Sequence, residues 1–230
     1  EAGPGLPGTR RLQYTLDDAA SAHGAGRARS LPLNPNFSFD VAASTLHDDS
    51  SVGRILESFG GLLARAGGAR SPSAESPSER PLFHVVLTGG TERIVLERLA
   101  AREKVAGREP VVLVAHPHHN SLPASLEILA RVRRDGAVGR IVFVRGTDDA
   151  EGEAALVEAA RLASVPLALR RSRIGAIGAP SDWLVASSQD AQRVRESWGP
   201  ELVSVDLGEL TARLAETAPD ASLADGFSAK

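Results

Sequence analysis

Short apolar runs alternate with helical patterns along the second two thirds of the chain. The runs start with FHVVL at Phe83 and continue with PVVLVA, RIVFV, PLALR, WLVAS and LVSVDL, and residues at helical spacing separate most of them. Unbroken Val, Ile and Leu runs are typical of strands buried on both faces, and parallel pairing needs a crossover helix. The pattern predicts an α/β fold with a doubly wound, mainly parallel sheet of Rossmann-like type.

The pattern is weaker before this series. Residues 1–70 are interpreted as an irregular N-terminal extension with a strand-like run at Leu12–Leu16 and one amphipathic helix over residues 51–66. Residues 71–80, SPSAESPSER, alternate Ser, Pro and Glu and predict a surface linker. The Rossmann-like domain is therefore expected over residues 81–230.

Four polar loops follow strands of the predicted sheet. They are GGTE, HPHHNS, RGTDD and RIGAIGAPSDW. Because right-handed crossovers place the loops after parallel strands at one edge of the sheet, these loops are candidates for a common ligand crevice. The order of the strands in the sheet, and hence which loops are neighbours, stays open at this level.

The loop HPHHNS carries the densest group of candidate substrate-binding side chains, namely His116, His118, His119, Asn120 and Ser121. Imidazoles bind metals or move protons near neutral pH, and an amide and a hydroxyl can hydrogen-bond sugar hydroxyls. Glu127, about one turn past Pro123 on the next helix, is a further candidate. The plainer alternatives are a solvated loop, with Ser121 as the N-cap of that helix and Glu127 on its solvent face.

The loop GGTE offers a candidate backbone site for an anion or a polar oxygen. Gly89 and Gly90 form a strand-to-helix turn, and Thr91 occupies the position of an N-cap before Glu92. The alternative is a tight turn capped by Thr91, in which Glu92 merely suits the helix dipole.

The segment RIGAIGAPSDW combines two glycines with three candidate sugar-binding side chains. Gly175 and Gly178 permit unusual backbone shapes and are further candidates for a backbone anion site. Ser181 and Asp182 can bind a polyol, and Trp183 can stack on a sugar face. A buried Trp and a turn-forming Asp are equally ordinary. The segment leads into WLVAS rather than into a helix, so it does not match a dinucleotide-binding fingerprint.

Composition removes several classes of function. A net charge of -3 and 4% aromatic residues give no basis for nucleic-acid binding. No apolar run approaches the roughly 20 residues that span a bilayer, and the first residues lack a signal-peptide core, so we expect no membrane partner and a cytoplasmic location. The chain has no cysteine, so any metal would need ligands from His, Asp, Glu or water. The adjacent His47, Asp48 and Asp49 have the residue types of a metal site, but adjacent residues in a loop need not point towards the same ion.

Three motifs together resemble one family. LTGGTE, AHPHHNSLPASLEIL and IGAIGAPSDWLVAS, in this order over Leu82 to Leu207, resemble the amino-terminal half of the L-fucose/L-arabinose isomerase family, especially its fucose-isomerase-like members. The resemblance implies a Rossmann-like domain within a homo-oligomeric enzyme that interconverts an aldose and a ketose, with a divalent metal, usually Mn²⁺. It also implies that the metal ligands come from a later part of the chain than Lys230, so no metal ligand and no catalytic residue is assigned here.

Two interpretations of function follow. The first is a sugar isomerase-like protein that acts on a free sugar, with its catalytic metal region outside this chain. The second is a non-catalytic α/β module that binds a sugar or a sugar phosphate, or that acts as a subunit partner. A nucleotide- or phosphate-using enzyme is a third, weaker alternative, because neither GxxxxGK[ST] nor a complete GxGxxG after a strand occurs.

Overall fold

The structure is a computed structural model, and it describes residues 37–71, 79–186 and 190–217. Contacts between Cα atoms divide the chain into two compact regions. We call the described residues 37–169 the first region and the described residues 170–217 the second region. Each has its own parallel sheet.

The first region alternates strands and helices. Its elements are β1 (Phe37–Ala42), α1 (Asp49–Arg65), β2 (Gly68–Arg70), β3 (Leu82–Val86), α2 (Glu92–Ala106), β4 (Val111–Ala115), α3 (Ser121–Arg134), β5 (Gly139–Phe143) and α4 (Ala150–Arg171), whose last two residues belong to the second region. The second region contains β6 (Arg173–Ile177), α5 (Ala191–Ser197), β7 (Glu201–Val205) and α6 (Leu207–Glu216). Among the helices of the described residues, none is both long and apolar enough to cross a bilayer.

The sheet of the first region has five parallel strands in the order β2-β1-β3-β4-β5. This confirms the predicted doubly wound α/β fold. The order reverses between β1 and β3, since the chain first adds β2 on one side of β1 and then returns to add the others on the opposite side. In doubly wound sheets the ligand crevice lies at such a reversal, beyond the carboxyl ends of the strands.

Helices cover both faces of this sheet. One face packs Phe83, Val85, Val112 and Val114 against α1 and α4, through side chains that include Phe59, Leu62, Leu63, Leu156 and Ala160. The opposite face packs Val86, Val111 and Leu113 against α2 and α3, through Val95, Ala124, Ile128, Leu129 and Val132. Successive side chains of a strand point to opposite faces of the sheet. Because helices cover both faces here, consecutive residues of the strands must be apolar, and this explains the apolar runs in the sequence.

One charged pair lies inside this core. Asp40 of β1 and His84 of β3 are register partners, and the Nδ1 of His84 lies 2.9 Å from the Oδ1 of Asp40. The second carboxylate oxygen of Asp40 lies 3.6 Å from the Nη1 of Arg98 on α2. Since a carboxylate only accepts, the Nδ1 of His84 carries the hydrogen and donates a hydrogen bond to Asp40.

The second region has a two-stranded parallel sheet of β6 and β7. Four of the five residues of β6 are exposed, whereas all five residues of β4 are buried. Every residue of α5 and α6 is partly or fully exposed. β6 therefore has little apolar cover, whereas Val203 and Val205 of β7 are buried.

The structure changes the predicted domain boundary. Residues 37–70, assigned by the sequence to an N-terminal extension before a domain over residues 81–230, supply β1, α1 and β2 of the five-stranded sheet. The amphipathic helix predicted there is confirmed as α1. The strand-like run at Leu12–Leu16 and most of the predicted linker lie outside the described residues, although Glu79 and Arg80 are exposed.

Three predicted elements of the second half were wrong. PLALR, predicted as a strand, continues α4, because Leu156, Ala160 and Leu167 form one buried helical face that extends past Pro166. RIGAI, predicted as part of a loop, is β6, since main-chain pairing with β7 tolerates its small residues. The predicted strand WLVAS begins in a turn at Trp183 and has no strand among its described residues up to Ala186.

Candidate functional site

The loops after β1, β3 and β4 meet at the strand reversal and are joined by hydrogen bonds in which backbone amides are the donors. The amide of Ser44, after β1, donates to the Oγ1 of Thr88, after β3, over 2.7 Å. The amide of Gly89 donates to the carbonyl of His119, after β4, over 2.8 Å. The three loops thus form one connected surface at the carboxyl edge of the sheet.

His116 is a structural member of this surface. It is buried, and its Nε2 lies 2.9 Å from the carbonyl oxygen of Leu87. Because a carbonyl only accepts, Nε2 carries the proton, and Nδ1 accepts from the amide of His118 over 3.4 Å. Burial is the main cause that lowers the pKa of His116 below its ordinary value. A neutral ring with both nitrogens engaged joins β4 to β3 and has no free position for a substrate.

Ser121 is also buried in the framework. Its hydroxyl donates to the carbonyl of Val86 and accepts from the amide of His116 over 3.0 Å. Ser121 is the first residue of α3, and the N-cap position belongs to Asn120, whose side chain makes no capping hydrogen bond. The prediction that Ser121 is the N-cap of this helix was therefore wrong. A substrate could contact the Ser121 hydroxyl only if its two hydrogen bonds were broken.

His119 and Asn120 both adopt the left-handed backbone conformation, with φ of 54° and 56°. Two consecutive non-glycine residues in this conformation are uncommon, and Asn tolerates it better than most. The turn brings Asn120 against the loop after β3, where a Cβ added to Gly89 would lie 2.9 Å from the Cβ of Asn120. Both side chains are exposed. The backbone shape thus presents an imidazole and an amide at the reversal.

The loop GGTE forms the opposite wall. Thr91 lies at the N-cap of α2, but its hydroxyl donates to the carbonyl of Thr88 over 2.8 Å and caps no helix amide. Gly90 has a φ of 76°, which favours glycine. Glu92 lies in the first turn of α2, where the dipole favours it. The predicted anion-binding amides therefore lie beside a carboxylate.

One groove follows the strand reversal, and we call it the carboxylate groove. Its polar lining comes from Ser44, His47, Gly89, Gly90, Glu92, His119, Asn120 and Glu127, and its apolar lining from Leu46, Pro123, Ala124 and Leu126. The structure thus brings Gly89, Gly90, Glu92, His119, Asn120 and Glu127 of the predicted residues together around one space. Thr91 and Ser121 lie behind its walls, because both are buried.

A second groove shares one wall with the first, and we call it the imidazole groove. It is lined by His47, Ser51, Arg54, Ile55, Ser58, His116, His118 and His119. The rings of His47 and His119, which line both grooves, meet edge to face with centroids 5.6 Å apart. This groove therefore receives the remaining predicted residue of the His loop, His118.

Metal binding was one possibility for the adjacent His47, Asp48 and Asp49. Among the described residues, no group of three or more His, Asp or Glu side chains is placed to hold an ion. Asp48 serves α1 instead, because its Oδ1 accepts from the amide of Ser51 over 2.7 Å and from the hydroxyl of Ser50 over 2.9 Å. The backbone hydrogen bond from Ser51 is the largest cause that lowers the pKa of Asp48 to about 2.

The loop RGTDD after β5 is occupied by its own hydrogen bonds. Asp149 accepts from the amide of Gly152 over 3.0 Å and from the amide of Arg145 over 2.8 Å. The bond from Gly152 is the largest cause that lowers the pKa of Asp149. This loop follows an edge strand and caps α4, and it lines neither groove.

The predicted residues of RIGAIGAPSDW all belong to the second region. Gly175 lies within β6, and Gly178 follows it with a φ of 72°. Ser181, Asp182 and Trp183 are exposed in the turn after β6, and Trp183 retains 78% of its accessible surface. The linings of both grooves come from the first region.

Sequence reasoning missed the contribution of the loop after β1. Ser44 and Leu46 were not singled out, and Arg54 appeared only as part of an amphipathic helix. The signal was the alternation of Phe37, Phe39 and Val41 with Ser38 and Asp40, which is the pattern of a strand. Had β1 been recognised, His47 would have been placed in a loop at the carboxyl edge.

No protein-family model matches the sequence, and no curated protein sequence matches it either.

Proposed function

We propose that the first region binds a sugar or a related polyol in the carboxylate groove. The observation that carries this proposal is the mixed lining of that groove. Glu92 and Glu127 can accept hydrogen bonds from hydroxyl groups, and the amide of Asn120 can both donate and accept. Ligand sites commonly combine an apolar lining with a few placed polar groups, as here.

The charge of the groove favours a neutral hydroxyl-rich ligand over an anion. Glu92 and Glu127 line the same space and carry like charges, so a phosphate or a carboxylate in that space would meet repulsion. A polyol supplies the hydroxyl donors that two carboxylates require. The exposed side chains of Leu46 and Leu126, at 92% and 54% of full exposure, offer apolar surface to the C–H face of a sugar ring.

The isomerase interpretation stays a prediction that depends on the family resemblance. It implies a divalent metal, and the described residues do not offer a ligand set for one. We therefore derive no catalytic step through a metal, and we propose sugar recognition as the role of this chain. A cytoplasmic location, homo-oligomer formation and a sugar-stacking role for Trp183 likewise stay predictions.

Binding of free sugars tests the proposal. We expect L-fucose or L-arabinose to bind in isothermal titration calorimetry, and Glu127→Gln to weaken the affinity about tenfold, because a hydrogen bond to a charged acceptor contributes about 1.5 kcal/mol or more. Asn120→Gly should also weaken binding, since it removes the amide while keeping a residue that tolerates the left-handed backbone.

Glu97→Gln is the matched control. Glu97 is an exposed carboxylate on α2, the same helix as Glu92, and it lines neither groove. Its replacement should leave sugar affinity unchanged. Equal affinities for wild type, Glu127→Gln and Asn120→Gly, or no binding of either sugar at millimolar concentration, would overturn the proposal.

A further inference from the structure

The imidazole groove differs from the carboxylate groove in charge although the two share a wall. Its lining holds Arg54, three imidazoles besides His116, and the two serines Ser51 and Ser58. No Asp or Glu is part of that described lining, whereas the carboxylate groove has two. The two adjoining spaces therefore suit ligand groups of different charge.

Arg54 brings a positive charge to the imidazole groove and forms no ion pair among the described residues. Its Nη2 donates to the hydroxyl of Ser51 over 3.0 Å, and its Nη1 reaches the hydroxyl of Ser50 at 3.5 Å. Among the described residues, no carboxylate oxygen lies within ion-pair distance of its guanidinium. Asp48 interacts with Arg54 electrostatically, and this is the smallest of the causes that lower the pKa of Asp48. The Asp48 carboxylate lies outside the lining of the imidazole groove and caps α1.

The imidazoles add donors on the opposite side. His118 and His119 are exposed, and each has its ring centroid within 6.4 Å of the other. The left-handed backbone at His119 places this ring at the wall between the two grooves, edge to face with His47. His116 closes the inner end as a neutral ring. Arginine, hydroxyl and imidazole donors without a carboxylate are the groups that bind phosphoryl oxygens.

We propose that the ligand is a sugar phosphate, whose phosphoryl group binds in the imidazole groove while its hydroxyl-bearing ring binds in the carboxylate groove. This inference rests on the proposed function and adds the chemical class of the ligand. Placing the phosphoryl group beside Arg54 separates it from Glu92 and Glu127. The shared wall of His47 and His119 makes the two spaces adjacent, so one ligand can use both.

The test compares free sugars with their phosphates in titration calorimetry. The pairs are L-fucose with L-fucose 1-phosphate and D-glucose with D-glucose 6-phosphate, and inorganic phosphate is titrated separately. We expect the phosphate of at least one pair to bind about tenfold or more tightly than the free sugar, since a charge-assisted contact contributes at least that factor. Added salt should reduce this advantage.

Arg54→Gln provides the decisive variant. Arg54 is exposed, so its replacement should not affect folding, which thermal unfolding checks. We expect this variant to lose the advantage of the phosphorylated sugar and to keep wild-type affinity for the free sugar. Glu127→Gln should weaken both. Arg93→Gln, which removes an exposed arginine that lines neither groove, should change neither.

The outcomes separate the two proposals. If neither member of any pair binds, both proposals fail. If a free sugar binds and no sugar phosphate binds more tightly than its own free sugar, the proposed function stands and the sugar-phosphate inference fails. The inference also fails if Arg54→Gln weakens both ligands equally, or if inorganic phosphate binds as tightly as the sugar phosphate, because the imidazole groove is then an anion site without connection to the sugar.

Discussion

The two regions of the molecule both build parallel sheets, but they bury them very differently. In the first region β4 is buried along its whole length, and helices cover both faces of the sheet. In the second region Ile174 and Ile177 of β6 retain about half of their accessible surface, 47% and 52%. Parallel pairing alone therefore does not produce a core. Cover by helices does, and a two-stranded sheet without it has marginal stability.

Truncation of one apolar side chain in each sheet should show the largest difference between the two regions. Leu113 of β4 is fully buried, so Leu113→Ala should lower the free energy of unfolding of the first region by about 3 kcal/mol, through lost burial and a residual cavity. Ile177→Ala in β6 should lower that of the second region by less than about 1 kcal/mol.

The measurement can distinguish the regions. Both tryptophans of the sequence, Trp183 and Trp198, lie in the second region, so their fluorescence in urea follows that region, whereas far-UV circular dichroism follows both. Equal losses for the two variants would show that β6 is covered in solution by something beyond the described residues.

Alanine at a glycine position tests how tightly the backbone is packed there, and the tight loop at Gly89 can be compared with the open strand β6 at Gly175. A Cβ at Gly89 would meet the Cβ of Asn120 at 2.9 Å, so Gly89→Ala should destabilise the first region by about 1–3 kcal/mol, as overpacking does. In Gly175→Ala the added carbon lies 3.4 Å from the Cγ2 of Val205, an ordinary contact. This control should be neutral, or stabilising by about 0.5 kcal/mol. Urea unfolding of both variants measures the difference, and a neutral Gly89→Ala would contradict the tight contact at the strand reversal.

Lowering the pH should reduce the stability of the first region by protonating Asp48, the N-cap residue of α1. The pKa of Asp48 is lowered to about 2 in the folded protein, so its contribution to stability is complete above its ordinary value of 3.8 and is lost as the pH falls towards 2. Asp48→Ala should therefore be less stable than wild type at pH 7, and this difference should narrow between about pH 4 and pH 2.

Asp48→Asn is the control for that titration. It keeps a capping side chain without an ionisable group, so its stability relative to Asp48→Ala should change little with pH. Urea unfolding at several pH values checks both variants. If the difference in the free energy of unfolding between wild type and Asp48→Ala stayed constant down to about pH 2, titration of the Asp48 cap would not be the cause of acid destabilisation.

The sequence identified the covered sheet better than the open one, for a physical reason. Apolar runs such as Val111–Val114 indicate strands that are buried on both faces, and the runs that became β3, β4 and β5 all belong to the covered sheet. Of the open sheet, only β7 was predicted as a strand. β6 has Gly and Ala at its centre and owes its form to pairing with β7, which composition does not reveal. PLALR has the composition of a strand, but the preceding Ala-rich helix packs well enough to continue through Pro166.

The candidate site was predictable only in part. The position of the His loop followed from topology, since it comes directly after a buried strand. The roles within it did not, because they depend on distant partners: His116 and Ser121 bind carbonyls of β3 and its loop, 29 and 35 residues earlier in the chain. The participation of Arg54 and His47 depends on the pairing of β1 with β3, and that pairing joins two segments about 45 residues apart that local sequence patterns do not connect.

The buried contact between Asp40 and His84 gives the first region an internal spectroscopic marker. An imidazole proton held by a carboxylate and shielded from water, with His84 at 1% exposure, exchanges slowly with solvent. Its resonance should be separate from the amide envelope in a one-dimensional proton spectrum. Since the two residues are register partners of β1 and β3, that single line reports whether the strands flanking the reversal are correctly paired in any variant or ligand titration.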